Sequence, residues 1–102
     1  MTRDTIVIKV GVEWYDMHPR MIMAYRAWQD LLAPYGVPAV VTSARDGRHI
    51  TGSRHYTGRA IDLRTRDIPP HLLQDIADRY RDRMGSDWVV ILERDHLHVH
   101  IT

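Results

Sequence analysis

The C-terminal run from His96 to Ile101 alternates imidazole and aliphatic side chains at every position. A period of two is that of a β-strand, because successive strand side chains point to opposite faces of a sheet. The run therefore predicts a strand that turns Leu97 and Val99 toward a core and three imidazoles to the other face. A fold that contains this strand must bury one face of a sheet and leave the other available for polar side chains.

The rest of the chain supplies partners for that strand. Apolar alternation or short β-branched runs predict four more strands, at Ile6–Val12, Ala39–Thr42, Ala60–Leu63 and Trp88–Leu92. Apolar residues at helical spacing predict two helices, over residues 19–33 and 70–84. The last two strands are close enough to pair as a hairpin across Glu93–Asp95. This order indicates an α+β fold, an antiparallel sheet with helices packed on one face and the site on the other.

Length and composition narrow the possible functions. With 102 residues, the chain is expected to form one domain spanning residues 1–102, and a monomer. Fourteen basic residues against 13 acidic ones leave no charge excess for binding nucleic acid or an anionic membrane. No apolar run is long enough for a membrane span, and the N-terminus lacks the apolar region of a signal peptide. We therefore expect a soluble protein that is cytoplasmic until released.

A histidine and an aspartate, His55 and Asp62, lie seven positions apart across a glycine-containing turn. Catalytic zinc is held by three ligands drawn from His and Asp or Glu, with the fourth position left to water. His55, Asp62 and one C-terminal histidine fit this pattern. Asp95 is a candidate for the base that takes a proton from the water, and Arg45 for the cation that stabilises an oxyanion.

Each of these residues has a simpler explanation when taken alone. A histidine beside a glycine turn can hydrogen-bond its loop, and Asp62 can cap a turn. The alternating histidines can form a solvated strand face or an adventitious metal binder. A half-buried strand, however, gains nothing from three imidazoles where threonine or lysine would serve, which favours the joint interpretation. The polar loop of residues 48–58 is also unusually long for so small a domain, which favours a functional role.

Two motifs carry a resemblance to a known family. They are Ser53-x-His55-x-x-Gly58-x-Ala60-x-Asp62 and Asp95-x-x-His98. Both resemble the signature of the zinc D-alanyl-D-alanine carboxypeptidases and the related phage L-alanyl-D-glutamate endolysins, which share a hedgehog-like fold. The resemblance runs from about residue 42 to residue 100. It implies a zinc peptidase that hydrolyses peptide bonds in peptidoglycan stems, as an endopeptidase or a carboxypeptidase. It also implies a protein that is either phage-encoded and acts on the cell wall or remains cytoplasmic until it is released.

Carried over by position, the resemblance makes His55, Asp62 and His98 the zinc ligands and Asp95 the catalytic base. It places Arg45 where the family has an arginine that helps to hold substrate or oxyanion.

The same resemblance makes Ser53 a contact to the substrate or to a ligand. His96 would lie beside the metal on the same face as His98, suited to a hydrogen bond or to proton transfer. His100 would lie at the rim. Glu93-x-x-His96 has the same acid-to-ligand spacing and remains an alternative register; the Asp95 and His98 register requires the last strand to begin at His96.

The main rival function is a non-catalytic module, in which the fold serves as a metal-binding, cell-wall or virion part. An acid beside three ligand-type residues favours catalysis, because a purely structural zinc usually closes its fourth position with Cys or His. A nuclease would need a metal-binding helix downstream, and an iron oxygenase would need a larger β-barrel. Both are weaker interpretations.

Overall fold

The structure, a computed structural model, describes residues 5–46 and 52–102. Its helices and strands, in chain order, are α1 (Arg20–Leu32), β1 (Val41–Ser43), β2 (Ala60–Arg64), α2 (Pro70–Met84), β3 (Trp88–Leu92) and β4 (His96–Ile101), with short 3₁₀ helices at Ala33–Tyr35 and Arg54–Thr57. The four strands form one antiparallel sheet of order β1-β2-β4-β3. The predicted α+β class is confirmed. The loop predicted over residues 48–58 lies partly outside the described residues.

The strand predicted at Ile6–Val12 is wrong. Only Ile8 pairs, in an isolated parallel bridge to Val41 at the edge of the sheet. The reason is a turn: the Val12 N–H donates to the Lys9 carbonyl at 3.1 Å, and Gly11 has φ 93°. Val10, within the turn, is 96% exposed, so the apolar alternation does not extend into a buried ladder.

The two helices pack on each other over the sheet. The face of α1 that was predicted to enter the core does so, with Met21, Ala24, Trp28 and Leu32 fully buried. Trp28 meets Tyr80 of α2 edge to face, with ring centroids 5.0 Å apart, and the Tyr80 hydroxyl donates to the Ala24 carbonyl at 2.7 Å. Over the described ranges, no helix has the length and apolarity that crossing a bilayer would demand.

The sheet divides its side chains by face, as the alternation in β4 predicts. Toward the helices lie buried aliphatic residues of three strands, namely Ile61, Leu63, Val90, Leu97, Val99 and Ile101. On the opposite face lie Asp62, His96, His98 and His100. The predicted hairpin between β3 and β4 is present, and it closes with a hydrogen bond from the Glu93 N–H to the His96 carbonyl at 2.9 Å. β4 thus begins at His96 and leaves Asp95 in the turn.

Candidate metal centre

The register of β2 against β4 brings the first two site residues together. Asp62 lies directly opposite His98. Residues opposite each other in antiparallel strands project to the same face, so these two side chains must meet. The Asp62 Oδ1 and His98 Nδ1 atoms are 3.1 Å apart. This pair needs no special local structure beyond the sheet itself.

The third residue, His55, reaches the site from the 3₁₀ helix at Arg54–Thr57. Ser53 caps this turn: its Oγ accepts a hydrogen bond from the His55 N–H at 3.2 Å. The His55 Nδ1 lies 2.7 Å from the Ala44 carbonyl oxygen. Because a carbonyl only accepts, Nδ1 must carry the hydrogen, and the other ring nitrogen, Nε2, faces the site.

Gly58 ends this turn and allows the loop to approach the N-terminal segment. Its φ is 71°, in the left-handed region that favours glycine. A Cβ atom here would lie 2.4 Å from the Asp16 carbonyl oxygen and 3.1 Å from an Arg45 side-chain nitrogen. The Gly58 carbonyl in turn accepts from the His18 N–H at 2.8 Å. The glycine of the sequence motif therefore sets the position of His55.

The three side chains form a nearly equilateral triangle of ligand atoms. His55 Nε2 lies 3.1 Å from Asp62 Oδ1 and 3.2 Å from His98 Nδ1. Neighbouring ligands of a tetrahedral zinc with bonds of about 2.0–2.1 Å lie about 3.3 Å apart. Lone pairs this close repel unless a proton or a cation lies between them. His55, Asp62 and His98 therefore fit a metal ion, and they are the group in the described residues that could hold one.

Burial and charge are consistent with that arrangement. His55 is 1% exposed and Asp62 is 8% exposed, so little water reaches either group. Burial by itself would raise the pKa of Asp62, but its hydrogen bonds with His55 and His98 outweigh burial and hold that pKa well below the usual range. Asp62 is thus ionised at neutral pH, in the form that could bind a metal ion.

His100 contacts the ring nitrogen of His98 that does not face Asp62. The His98 Nε2 and His100 Nδ1 atoms are 2.8 Å apart. Burial, together with the charges of His98 and Arg54, lowers the pKa of His100 and favours its neutral form, which can accept at Nδ1. When His98 donates from Nε2, its Nδ1 lone pair faces the metal position. The residue that the sequence placed at the rim thus contacts a ligand directly.

His96 links Asp95 to the triangle. Asp95 Oδ1 lies 2.6 Å from His96 Nδ1, and His96 Nε2 lies 3.6 Å from Asp62 Oδ2. Asp95 is exposed, and its hydrogen bond with His96 lowers its pKa. The predicted base and the predicted proton-transfer residue therefore form one pair. Its imidazole is the member nearer to the metal position.

Arg45 and Ser53 lie away from this pair. Arg45 packs over the Tyr15 ring at 4.8 Å and donates to the Asp16 carbonyl at 3.5 Å. Within residues 5–46 and 52–102, no contact joins its side chain to the three ligand-type residues, and its oxyanion role stays a prediction. Ser53 positions His55, as described above, and its substrate contact also stays a prediction.

A cleft of about 400 Å³ opens beside the triangle. It is lined by Lys9, Thr42, Ser43, Asp62, Arg64, Arg66, Asp95 and His96. The sequence analysis missed the three cations of this lining. Arg64 was detectable in principle, because it follows Asp62 by two residues on a strand and must share its face. Lys9 was not, because it arrives from the N-terminal segment through tertiary packing.

Comparison with known families adds one finding. The family model of the hedgehog amino-terminal signalling domain matches residues 3–100. The match spans nearly the whole chain and includes the three ligand-type residues together with Asp95 and His96. The fold of this domain is related to that of zinc peptidases.

Proposed function

The chain belongs to the family of the hedgehog amino-terminal signalling domain, and we propose that it is a zinc peptidase that hydrolyses peptide bonds in peptidoglycan stem peptides. The observation that carries the proposal is the triangle of His55, Asp62 and His98 beside an open cleft, which Asp62 lines together with the Asp95 and His96 pair. A site that held metal only to stabilise the fold would need neither the cleft nor the acid–base pair.

The ligand set supports zinc as the metal. Two imidazoles and one carboxylate are a three-ligand set found at catalytic zinc, and the protein has no cysteine to complete a thiolate site. Bound there, zinc would lower the pKa of a water molecule and polarise the substrate carbonyl. His55 and His98 would bind through Nε2 and Nδ1. Their other ring nitrogens are held by the Ala44 carbonyl and by His100.

Asp95 and His96 supply the acid–base chemistry. With its Nδ1–H donated to Asp95, His96 presents the Nε2 lone pair toward Asp62 and the cleft. In that state His96 accepts the proton of the attacking water at Nε2, and Asp95 stabilises the imidazolium that results. The same proton then passes from Nε2 to the leaving amine. Asp95, which the sequence made the base, thus acts through His96.

The proposal that peptidoglycan is the substrate is based on the two sequence motifs and on the size of the cleft. A cleft of about 400 Å³ accommodates a few residues of an extended peptide and no folded protein domain. Endopeptidase and carboxypeptidase activity both fit this space.

A second candidate follows from the family itself. The matched domain is a signalling domain, so the fold also serves in recognition. On this alternative, the chain is a non-catalytic metal-binding module for a cell-wall or virion partner. The metal would then be retained for stability.

The test is to load the protein with zinc, add purified peptidoglycan and identify released fragments by mass spectrometry. Asp95→Asn should keep zinc and fold but lose about 10²–10⁴-fold in rate. Glu93→Gln is the matched control, because it removes one carboxylate from the same hairpin, and it should remain active. An inactive Glu93→Gln beside an active Asp95→Asn would make Glu93, and not Asp95, the carboxylate that the acid–base chemistry needs. A zinc-loaded parent that releases no fragment favours the binding module.

A further inference from the structure

Three cations line the cleft beyond the metal position. Arg64 lies two residues after Asp62 on β2 and directly opposite His96 on β4. Arg66 lies in the turn after β2, and Lys9 approaches from the N-terminal segment, where its N–H donates to the Val41 carbonyl of β1. One strand, the turn after it and one tertiary contact thus bring three positive charges to one wall.

Within the described residues, the side chains of Lys9, Arg64 and Arg66 make no hydrogen bond and no ion pair. The two carboxylates of the cleft are occupied elsewhere: Asp62 by two histidines, and Asp95 by His96. Elsewhere the protein pairs its arginines readily, as Arg83 with Asp30 at 2.9 Å and Arg81 with Asp78 at 3.0 Å. Counting the described residues alone, the cleft therefore holds an excess of positive charge.

The distance from the metal position sets what this charge can bind. A strand rises about 3.3 Å per residue, so the Cα atom of Arg64 lies roughly 7 Å along β2 from that of Asp62. Arg66 lies in the turn that follows β2, which the hydrogen bond from the Ile68 N–H to the Thr65 carbonyl closes. An extended peptide advances by a similar length per residue. A substrate group that is bound here is thus about one to three residues from the bond at the metal.

We propose that this wall is a carboxylate-binding subsite, formed by Lys9, Arg64 and Arg66, that selects peptides with a free carboxylate one to three residues from the scissile bond. The proposal rests on the peptidase function above. Arginine presents a planar fork of donors that matches a carboxylate in two parallel hydrogen bonds. Three cations beside two carboxylates suit one small anion. They do not suit a polyanion such as nucleic acid, because the near-neutral chain lacks the excess of basic residues that nucleic-acid binding needs.

The test compares synthetic stem peptides that carry free carboxylates with analogues in which one carboxylate at a time is amidated. For the preferred peptide, Arg64→Gln or Arg66→Gln should raise KM about tenfold or more with kcat nearly unchanged, because the contact is made equally in ground and transition states. The same variants should lose most of the preference for acid over amide. Arg79→Gln, which removes one positive charge from the exposed face of α2, should match the parent.

Direct binding separates this proposal from the failure of the peptidase function. Titration of the free-acid peptide into the metal-free protein, followed by NMR, should shift the backbone amides of Arg64 and Arg66. Arg64→Lys should retain more of this affinity than Arg64→Gln, because the charge is kept. If the protein binds the acid peptide in this way but hydrolyses no peptide, the proposal of the subsite stands and the proposal of peptidase activity fails.

Two results would overturn the subsite. One is equal binding and hydrolysis of acid and amide peptides by the parent. The other is an unchanged acid preference in Arg64→Gln and Arg66→Gln, both verified as folded by their thermal transitions.

Discussion

The candidate metal centre is built from two regions that reach it by different physical routes. The strand half, Asp62, His96, His98 and His100, is placed by the register of two paired strands. The loop half, Ser53, His55 and Gly58, is placed by one short turn whose position depends on contacts outside the sheet. The strand half is held in place by all of the residue pairs between β2 and β4. The loop half depends on a few contacts of Ser53, His55 and Gly58.

The two halves also differ in exposure. The His55 side chain is 2% exposed, whereas that of His98 is 17% exposed and that of His96 is 30% exposed. The loop therefore supplies the most buried of the three ligand-type residues, although Asp62 of the strand half is also buried. The strand side chains border the cleft. We expect substitutions in the loop half to affect folding and metal binding together, and those in the strand half to affect the metal and the chemistry more selectively.

The largest expected effect is the loss of metal from either half. His55→Ala and Asp62→Ala should each abolish stoichiometric zinc binding, because two remaining ligands cannot hold a catalytic site. Metal analysis of the purified variants measures this, and His71→Ala on the exposed face of α2 serves as the control. Full zinc in His98→Ala with none in His96→Ala would place the third ligand at His96.

The next effect tests the dependence of the loop half on close packing. Gly58→Ala should destabilise the protein by about 2 kcal/mol or more, since it combines a left-handed backbone with a clash against the Asp16 carbonyl. Gly36→Ala is the matched control, because Gly36 has φ 67° but nothing within 4 Å of the added atom. Urea unfolding should separate the two variants. Equal losses would mean that strain alone, and not the approach to Asp16, matters at Gly58.

A smaller effect tests the support within the strand half. His100→Phe should weaken zinc binding by roughly 10–100-fold, because His98 loses the acceptor for its Nε2–H. This is the usual effect of removing a residue that hydrogen-bonds to a metal ligand. His100→Gln keeps an acceptor oxygen and should recover part of the affinity. Competition with a chromophoric chelator measures both. Equal affinities in His100→Phe and the parent would show that the sheet alone orients His98.

The smallest effect is the acid sensitivity of the metal-free protein. The pKa of Asp62 is lower in the folded state than in the unfolded chain, so its contribution to stability is present above about pH 4 and is lost as the pH falls further. Asp62→Asn should therefore flatten the loss of stability with acid. Urea unfolding between neutral pH and the acid limit measures the slope. If the free energy of unfolding falls with pH equally steeply in the variant and the parent, Asp62 is not the source of the acid sensitivity.

Much of the fold and half of the site could be predicted from local patterns. The period of two in residues 96–101 determined which side chains of β4 face the core, and the spacing of Met21, Ala24 and Trp28 determined the buried face of α1. The same alternation put Asp62 on the polar face of β2. The error at Ile6–Val12 shows the limit of this reasoning. Alternation of apolar residues shows which face of a segment is apolar. Pairing along the whole segment also requires a neighbouring strand, and the turn at Gly11 directs the chain away from β1.

The sequence by itself determined the residue types of the site and the face on which the strand half lies, because side-chain direction in a strand is a local property. Only the tertiary structure decided that Asp62 lies opposite His98, that Ala44 fixes the ring of His55, and that Lys9 joins Arg64 at the cleft. Each of these depends on strand register or on contacts between segments distant in the chain. Such contacts are selected by the packing of the whole core, and no local pattern encodes them.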